Sequence, residues 1–292
     1  ALVRTDTDTV LNSHVTDSYE PLQNVDAFQF FDDVIGQGQA VYHTAMALRE
    51  GRVIAILAKL PESLEAVPGD QIDKYILLST SHDGSLSLQL SITPVRVVCA
   101  NTLRVALNNT KHMFRIKHTS SIHDRVVEAR EALELSDVYF NLMMEGVNKL
   151  VQTPMPPEDV KMFADALFNI NPNSDSIHAY SERARDNVFE LFYAGRGQDI
   201  KGVRDTAYAA LNAATEHVDN FSRVSVRAVE QDSREAQDAR LYKSWFSRGQ
   251  DTRNHAWGLL QNYAINGNQA FLYTPRQQAS EWEGWRYATS PR

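Results

Sequence analysis

Residues Gly84 to His123 read GSLSLQLSITPVRVVCANTLRVALNNTKHMFRIKHTSSIH and contain no Asp or Glu. The chain as a whole is acidic, with 37 Asp and Glu against 29 Lys and Arg and a net charge of −8, so an even spread would place about five carboxylates in that window. The missing acids make it the one electropositive region of the sequence. Leu86, Leu88, Leu90 and Ile92 alternate with Ser85, Ser87, Gln89 and Ser91, the period of a half-buried strand. Thr93 and Pro94 then have the residue types of a helix N-cap and first helical position. The spacing of Val95, Val98, Cys99, Thr102, Leu103, Ala106 and Leu107 predicts a helix ending at Asn108-Asn109. A second strand is expected over Met113 to Thr119, with Phe114, Ile116 and His118 alternating against Arg115 and Lys117.

Working outward toward the N-terminus, the chain reads as mostly β. Thr9 to Thr16 is a short extended candidate, and Val25 to Ile35 has an amphipathic pattern through Val25, Phe28, Phe31 and Ile35, with Asn24 as N-cap. Ala40 to Leu48 and Val53 to Leu60 are strands joined by the turn Arg49-Glu50-Gly51-Arg52, and Pro61 to Asp70 is a polar loop. Tyr75 to Thr80 pairs with Ser85 to Thr93 around His82-Asp83-Gly84, since Asp-Gly supplies the positive φ of a tight turn. Strands that arrive as hairpins imply an antiparallel sheet. The fold class is therefore α+β, with the sheet packed against helices.

Toward the C-terminus the pattern turns helical. Helices are expected from Ile122 to about Gln152, from Glu158 to Ile170, from Ser176 to Ala194 and from Val203 to about Phe221, with polar helices onward to Gly267 and an irregular aromatic tail. Pro154, Pro156 and Pro157 mark the best boundary, which divides a sheet-bearing region, residues 1–153, from a helical region, residues 154–292.

With 292 residues and 43% hydrophobic content the chain can bury a large core. No apolar run is long enough for a transmembrane helix, so no membrane partner is expected. The single cysteine, Cys99, rules out an internal disulfide framework and a cysteine zinc cluster, and fits a reducing, cytoplasmic compartment. A pI near 5.6 argues against coating duplex DNA by bulk charge. Nucleic acid would have to lie in a local groove.

No phosphate-binding glycine loop is present; Gly195-Arg196-Gly197 lacks the lysine of such loops and reads as a helix terminator. No pair of histidines has metalloprotease spacing, and no metal or cofactor is expected. His82 with Asp83, and His118 with His123 and Asp124, could meet at one end of the sheet as an acid/base or metal site, although turn-building and capping are the plainer roles for them. Cys99 lies on an apolar face and reads as core. Asn101 and Thr102 need partners inside so apolar a segment, whether a neighbouring strand or a ligand. Arg96, Arg104, Lys111, Arg115 and Lys117 share the acid-free window. They are the candidate nucleic-acid contacts, by neutralising phosphates along a groove.

Several strings carry a family resemblance: Arg4-Thr5-Asp6-Thr7, Tyr19-Glu20-Pro21-Leu22-Gln23-Asn24, Gly51-Arg52, Ser81-His82-Asp83-Gly84-Ser85, Arg96-Val97-Val98-Cys99-Ala100-Asn101-Thr102-Leu103, Lys117-His118-Thr119, and Thr206-Ala207-Tyr208-Ala209-Ala210-Leu211-Asn212-Ala213-Ala214-Thr215-Glu216. In this order the chain resembles the phage- and plasmid-related family catalogued as domain of unknown function 932. Lys117 stands where the family pattern has Arg, which keeps the charge and loses the planar fork. The resemblance implies a mobile-element setting, among replication and recombination genes of a bacterial host, and no particular reaction.

Three functions follow as expectations. The first is a non-catalytic single-stranded DNA binder, acting in annealing as a homo-oligomer, with Tyr75 or Phe114 as stacking platforms. The second is a hydrolase acting on nucleic acid or nucleotide through His82, Asp83, His118 and His123. The third is an interaction or scaffold protein.

Overall fold

Two tight turns position the sheet. The first joins β3 (Val41–Leu48) to β4 (Val53–Glu65) through Arg49, Glu50 and Gly51, all at positive φ, and Gly51, at +88°, occupies a conformation that only glycine adopts at little cost. The second joins β5 (Gln71–Ser81) to β6 (Leu88–Arg96) past Gly84, whose φ is +76°. A computed structural model describes residues 1–15, 21–36, 40–103, 113–116, 129, 131, 136–171, 179–224, 230 and 233–272. Its six-stranded sheet is antiparallel, in the order β3-β4-β5-β6, with β6 paired on its far side to β7 (Asn101–Thr102) and to β8 (Met113–Ile116). A separate hairpin joins β1 (Leu2–Val3) to β2 (Val10–Asn12).

Helix α1 (Asn24–Ile35) covers one face. Its buried residues Ala27, Phe30, Phe31, Val34 and Ile35 recur at helical spacing and pack on Ile54, Ile56, Ile76, Leu78, Leu88 and Leu90. The buried stripe is rotated from the expected one, and Val25 is exposed. Each buried Phe contributes roughly 1.5–3 kcal/mol. Asn24 does not cap the helix: Gln23 occupies that position, and the Asn24 amide bonds to His82 instead.

The C-terminal half is helical, as the texture predicts, with α2 (Ser136–Val151), α3 (Pro157–Leu167), α4 (Ala179–Ala194), α5 (Ala207–Glu216), α6 (Arg234–Phe246) and α7 (Arg248–Asn266). A π-helical turn, His217–Phe221, continues α5, and a 3-10 turn, Gly267–Phe271, follows α7. Trp245 and Phe246 of α6 pack on the second face of the sheet, against Ala55, Leu57, Tyr75 and Leu77. The largest apolar cluster joins Ala66, Val67, Ile72, Ile92 and Leu103 to helices α2 to α5 and α7, so it draws on both sides of the proline break at 153–157.

Two expectations fail here. Residues 61–65 are strand rather than loop, because β4 continues past a register shift to pair Ser63 with Asp73 and Glu65 with Gln71. The helix expected from Val95 is absent over 95–103: Thr93 and Pro94 lie inside β6, opposite Tyr75 and Lys74. A strand residue turns its nitrogen and its carbonyl to the same side. Pro94 points its carbonyl at the Leu103 amide, 2.9 Å away, so its missing N–H takes nothing from the β5 ladder. The chain then reverses through Val97–Ala100, with Ala100 at φ 55°, and returns as β7.

Candidate functional site

Two of the quoted strings, more than a hundred residues apart in sequence, meet inside the protein. Arg96, at the end of β6, is fully buried and gives its Nε to Asp70 at 2.7 and 3.0 Å. Its two Nη atoms donate to the carbonyls of Arg196 and Gly197, each at 2.9 Å, and its guanidinium lies 5.7 Å from the centre of the Tyr208 ring. Each of the three guanidinium nitrogens therefore donates, and the two Nη bonds fasten the end of the sheet to the α4–α5 connection.

Helix α5 supplies the other wall. Thr206 caps it by accepting from the Ala209 amide, and every residue from Ala207 to Glu216 is buried. Alanines let neighbouring elements approach closely, while Tyr208, Asn212 and Glu216 recur at every fourth position and so share one face. The Tyr208 hydroxyl lies beside Asp70 and Asn212, yet neither it nor the Asn212 amide has a well-formed hydrogen bond. Burial, and then the Asp70 charge, push the Tyr208 hydroxyl pKa up, so it is a neutral phenol at any ordinary pH. Burial also raises the Glu216 carboxyl, against the lowering effect of the Arg196 amide, which donates to Glu216 Oε2 at 3.1 Å.

The seam continues into the π-helical turn. Asn220 Nδ2 donates to Asn101 Oδ1 at 3.1 Å, and the Thr102 amide donates to Asp219 Oδ2 at 3.0 Å. Asp219 is held in turn by Ser244 and by the buried guanidinium of Arg253. Asn101 and Thr102 thus tie β7 to the helical half. Cys99 is buried, and burial raises its thiol pKa, which removes it as a nucleophile.

The His-Asp turn is likewise bound up in structure. His82 is buried, with Nε2 2.9 Å from Asn24 Oδ1. Asp83 accepts from the Ser85 amide at 2.9 Å and pairs with Arg49 at 3.0 Å. Burial tends to raise its pKa, but the Ser85 bonds and Arg49 outweigh this and hold the carboxyl below the usual range. His118, His123 and Asp124, the other half of that candidate site, lie outside the described residues. Among the described residues no group of three or more His, Cys, Asp or Glu side chains could hold a metal ion, and no helix is long and apolar enough to cross a membrane.

Of the five candidate DNA contacts, Arg104, Lys111 and Lys117 lie outside the described residues. Arg96 is corrected: full burial in an ion pair withdraws it from any surface groove. Arg115 is exposed on β8, and its Nε meets the Met113 sulfur at 3.1 Å. Of the stacking candidates, Phe114 is half-buried on β8, and Tyr75 is buried against the His43 ring. The α5 stripe was missed as a site by sequence reasoning; its signal was polar residues four apart within an alanine-rich helix.

The family model described as Domain of unknown function (DUF932) matches residues 12–263. No curated protein and no solved structure matches the chain.

Proposed function

Because the chain belongs to the domain of unknown function family DUF932, whose name specifies no activity, we propose a function from its own charges: it binds single-stranded DNA without catalysing a reaction, as an annealing or replication factor. One observation carries this reading. Every basic residue before position 104 is ion-paired: Arg4 with Asp6, Arg49 with Asp83, Arg52 with Glu50, Lys59 with Asp73, Lys74 with Glu62 and Asp137, and Arg96 with Asp70. Arg115 breaks the pattern, being exposed and without a carboxylate in ion-pair range among the described residues.

In sequence, Arg104, Lys111 and Lys117 surround it within the acid-free window. Cations without internal partners gain most from a phosphate backbone, and release of its counterions drives binding. The net negative charge of the protein disfavours binding to its surface at large. β3, an uncharged edge strand among the described residues, is where a second copy would add its own strand in a homo-oligomer.

Fluorescence anisotropy with a labelled oligothymidylate tests the proposal. Binding at low salt that weakens steeply as salt is added is expected; no binding at low salt defeats it. The hydrolase alternative draws no support from His82, whose Nε2 is held by Asn24 of α1, or from Asp83, which binds the Ser85 amide and Arg49. Cleavage of DNA or a nucleotide by the purified protein would restore it.

A further inference from the structure

A second cationic cluster, distant in sequence from the acid-free window, lies on the helical half. The π-helical turn packs against α4, α6 and α7, and the cations stand on these elements: Arg223 in the segment after the turn, Arg240 and Lys243 on α6 and Arg248 at the start of α7, with Tyr180 at the start of α4. Lys243 Nζ donates to the Arg223 carbonyl at 2.8 Å and Arg240 Nε to the adjacent Ser222 carbonyl at 3.1 Å, which holds the two side chains next to each other. Arg248 and Arg240 both act on Lys243, and Arg223 and Arg248 both act on the Tyr180 hydroxyl. Burial first, and then Arg248 and Arg240, depress the Lys243 pKa, as crowded like charges do.

No carboxylate lies in ion-pair range of Arg223, Lys243 or Arg248 among the described residues, in a protein with an excess of acids. Arg223 and Arg248 are exposed, and Tyr180 is 41% exposed. Repelling cations beside an accessible aromatic ring suit a phosphate group followed by a stacked base.

We propose that Arg223, Lys243 and Arg248 form a phosphate-binding site beside Tyr180, a second place where the bound single strand touches the protein. The assignment rests on the single-strand reading above and names a surface that the reading does not contain. Its failure and the failure of that reading are distinguishable by calorimetry with two probes, oligothymidylate and inorganic pyrophosphate, on the wild type, K243Q/R248Q and R115Q. The glutamines keep hydrogen-bonding capacity while removing charge, and circular dichroism checks that each variant is folded.

K243Q/R248Q is expected to abolish pyrophosphate binding and to reduce the slope of log affinity against log salt for oligothymidylate by about 1.4, at 0.7 per lost phosphate contact. R115Q is expected to leave pyrophosphate binding intact. Unchanged pyrophosphate binding in K243Q/R248Q, or none in the wild type, overturns the site. Lost pyrophosphate binding with an unchanged oligothymidylate slope overturns its assignment to the strand and leaves a site for free phosphate. Pyrophosphate binding by a wild type that ignores oligothymidylate does the same and defeats the single-strand reading as well.

Discussion

Arg96 and Asp70 form an ion pair in which neither side chain has any exposure, with the Arg96 Nε 2.7 Å from one carboxylate oxygen and 3.0 Å from the other. A charge pair so far from water is stable only while both members and their hydrogen bonds are present. Arg96 also holds the Arg196 and Gly197 carbonyls, so one side chain locks the sheet to the helical half.

Arg96→Met strands the Asp70 carboxylate in the interior and should cost about 3–5 kcal/mol in urea unfolding. Removing both charges, as Arg96→Met with Asp70→Leu, should recover a large part of that loss. A single variant as stable as wild type would contradict the structural role given to Arg96.

Gly197→Ala should cost more than Gly84→Ala, although both glycines have positive φ. The left-handed conformation costs an alanine about 1–2 kcal/mol at either site. At Gly197 the new Cβ would also lie 2.6 Å from Val98 Cγ1 and 2.8 Å from Arg96 Nη2, whereas at Gly84 its nearest neighbour is Asn12 Nδ2 at 3.9 Å. Thermal melts of the two variants side by side measure the difference.

His217 is buried, and burial, with a smaller push from Lys243, lowers its pKa from 6.5 to about 4. The folded state therefore favours the neutral ring. As pH falls below 6.5 the unfolded chain takes up this proton first, so stability present above 6.5 is lost between 6.5 and about 4, by roughly 3 kcal/mol. His255, lowered chiefly by burial, acts in the same direction. His217→Gln should flatten this part of the stability curve, measured by urea unfolding across that pH range.

Cys99 should be inert to a thiol-specific reagent in the native protein and react fully once unfolded, because its sulfur is buried and its thiolate disfavoured. Rapid labelling of the folded protein would mean that the Val97–Ala100 turn opens readily.

The hairpins were legible because each strand pair carries its own turn chemistry: Gly51 and Gly84 punctuate alternating apolar runs whose pairing is local. The helices of the C-terminal half were legible from apolar spacing. The segment after Ile92 was not. Thr93-Pro94 has the residue types of a helix start, and only the neighbouring β5 and β7 decide that it is strand. The same limit hid the candidate site. That Arg96 faces Asp70 rather than solvent depends on a partner 26 positions away and on carbonyls about 100 positions away. Charge counting along a sequence registers an unbalanced window but not which cations are already neutralised in three dimensions. Arg223, Lys243 and Arg248 escaped notice for the complementary reason, since acidic residues stand near them in sequence and none of those described is in ion-pair range of them in the fold.

The central claim is that cations of the acid-free window hold a single strand, and the salt dependence of oligothymidylate binding by wild type and by Arg115→Ala with Lys117→Ala tests it most directly. Affinity of the wild type should fall linearly on logarithmic axes, and the double variant should lower that slope by about 1.4, corresponding to two lost phosphate contacts. A variant that binds with the wild-type slope, or a wild type whose binding is indifferent to salt, would contradict the account.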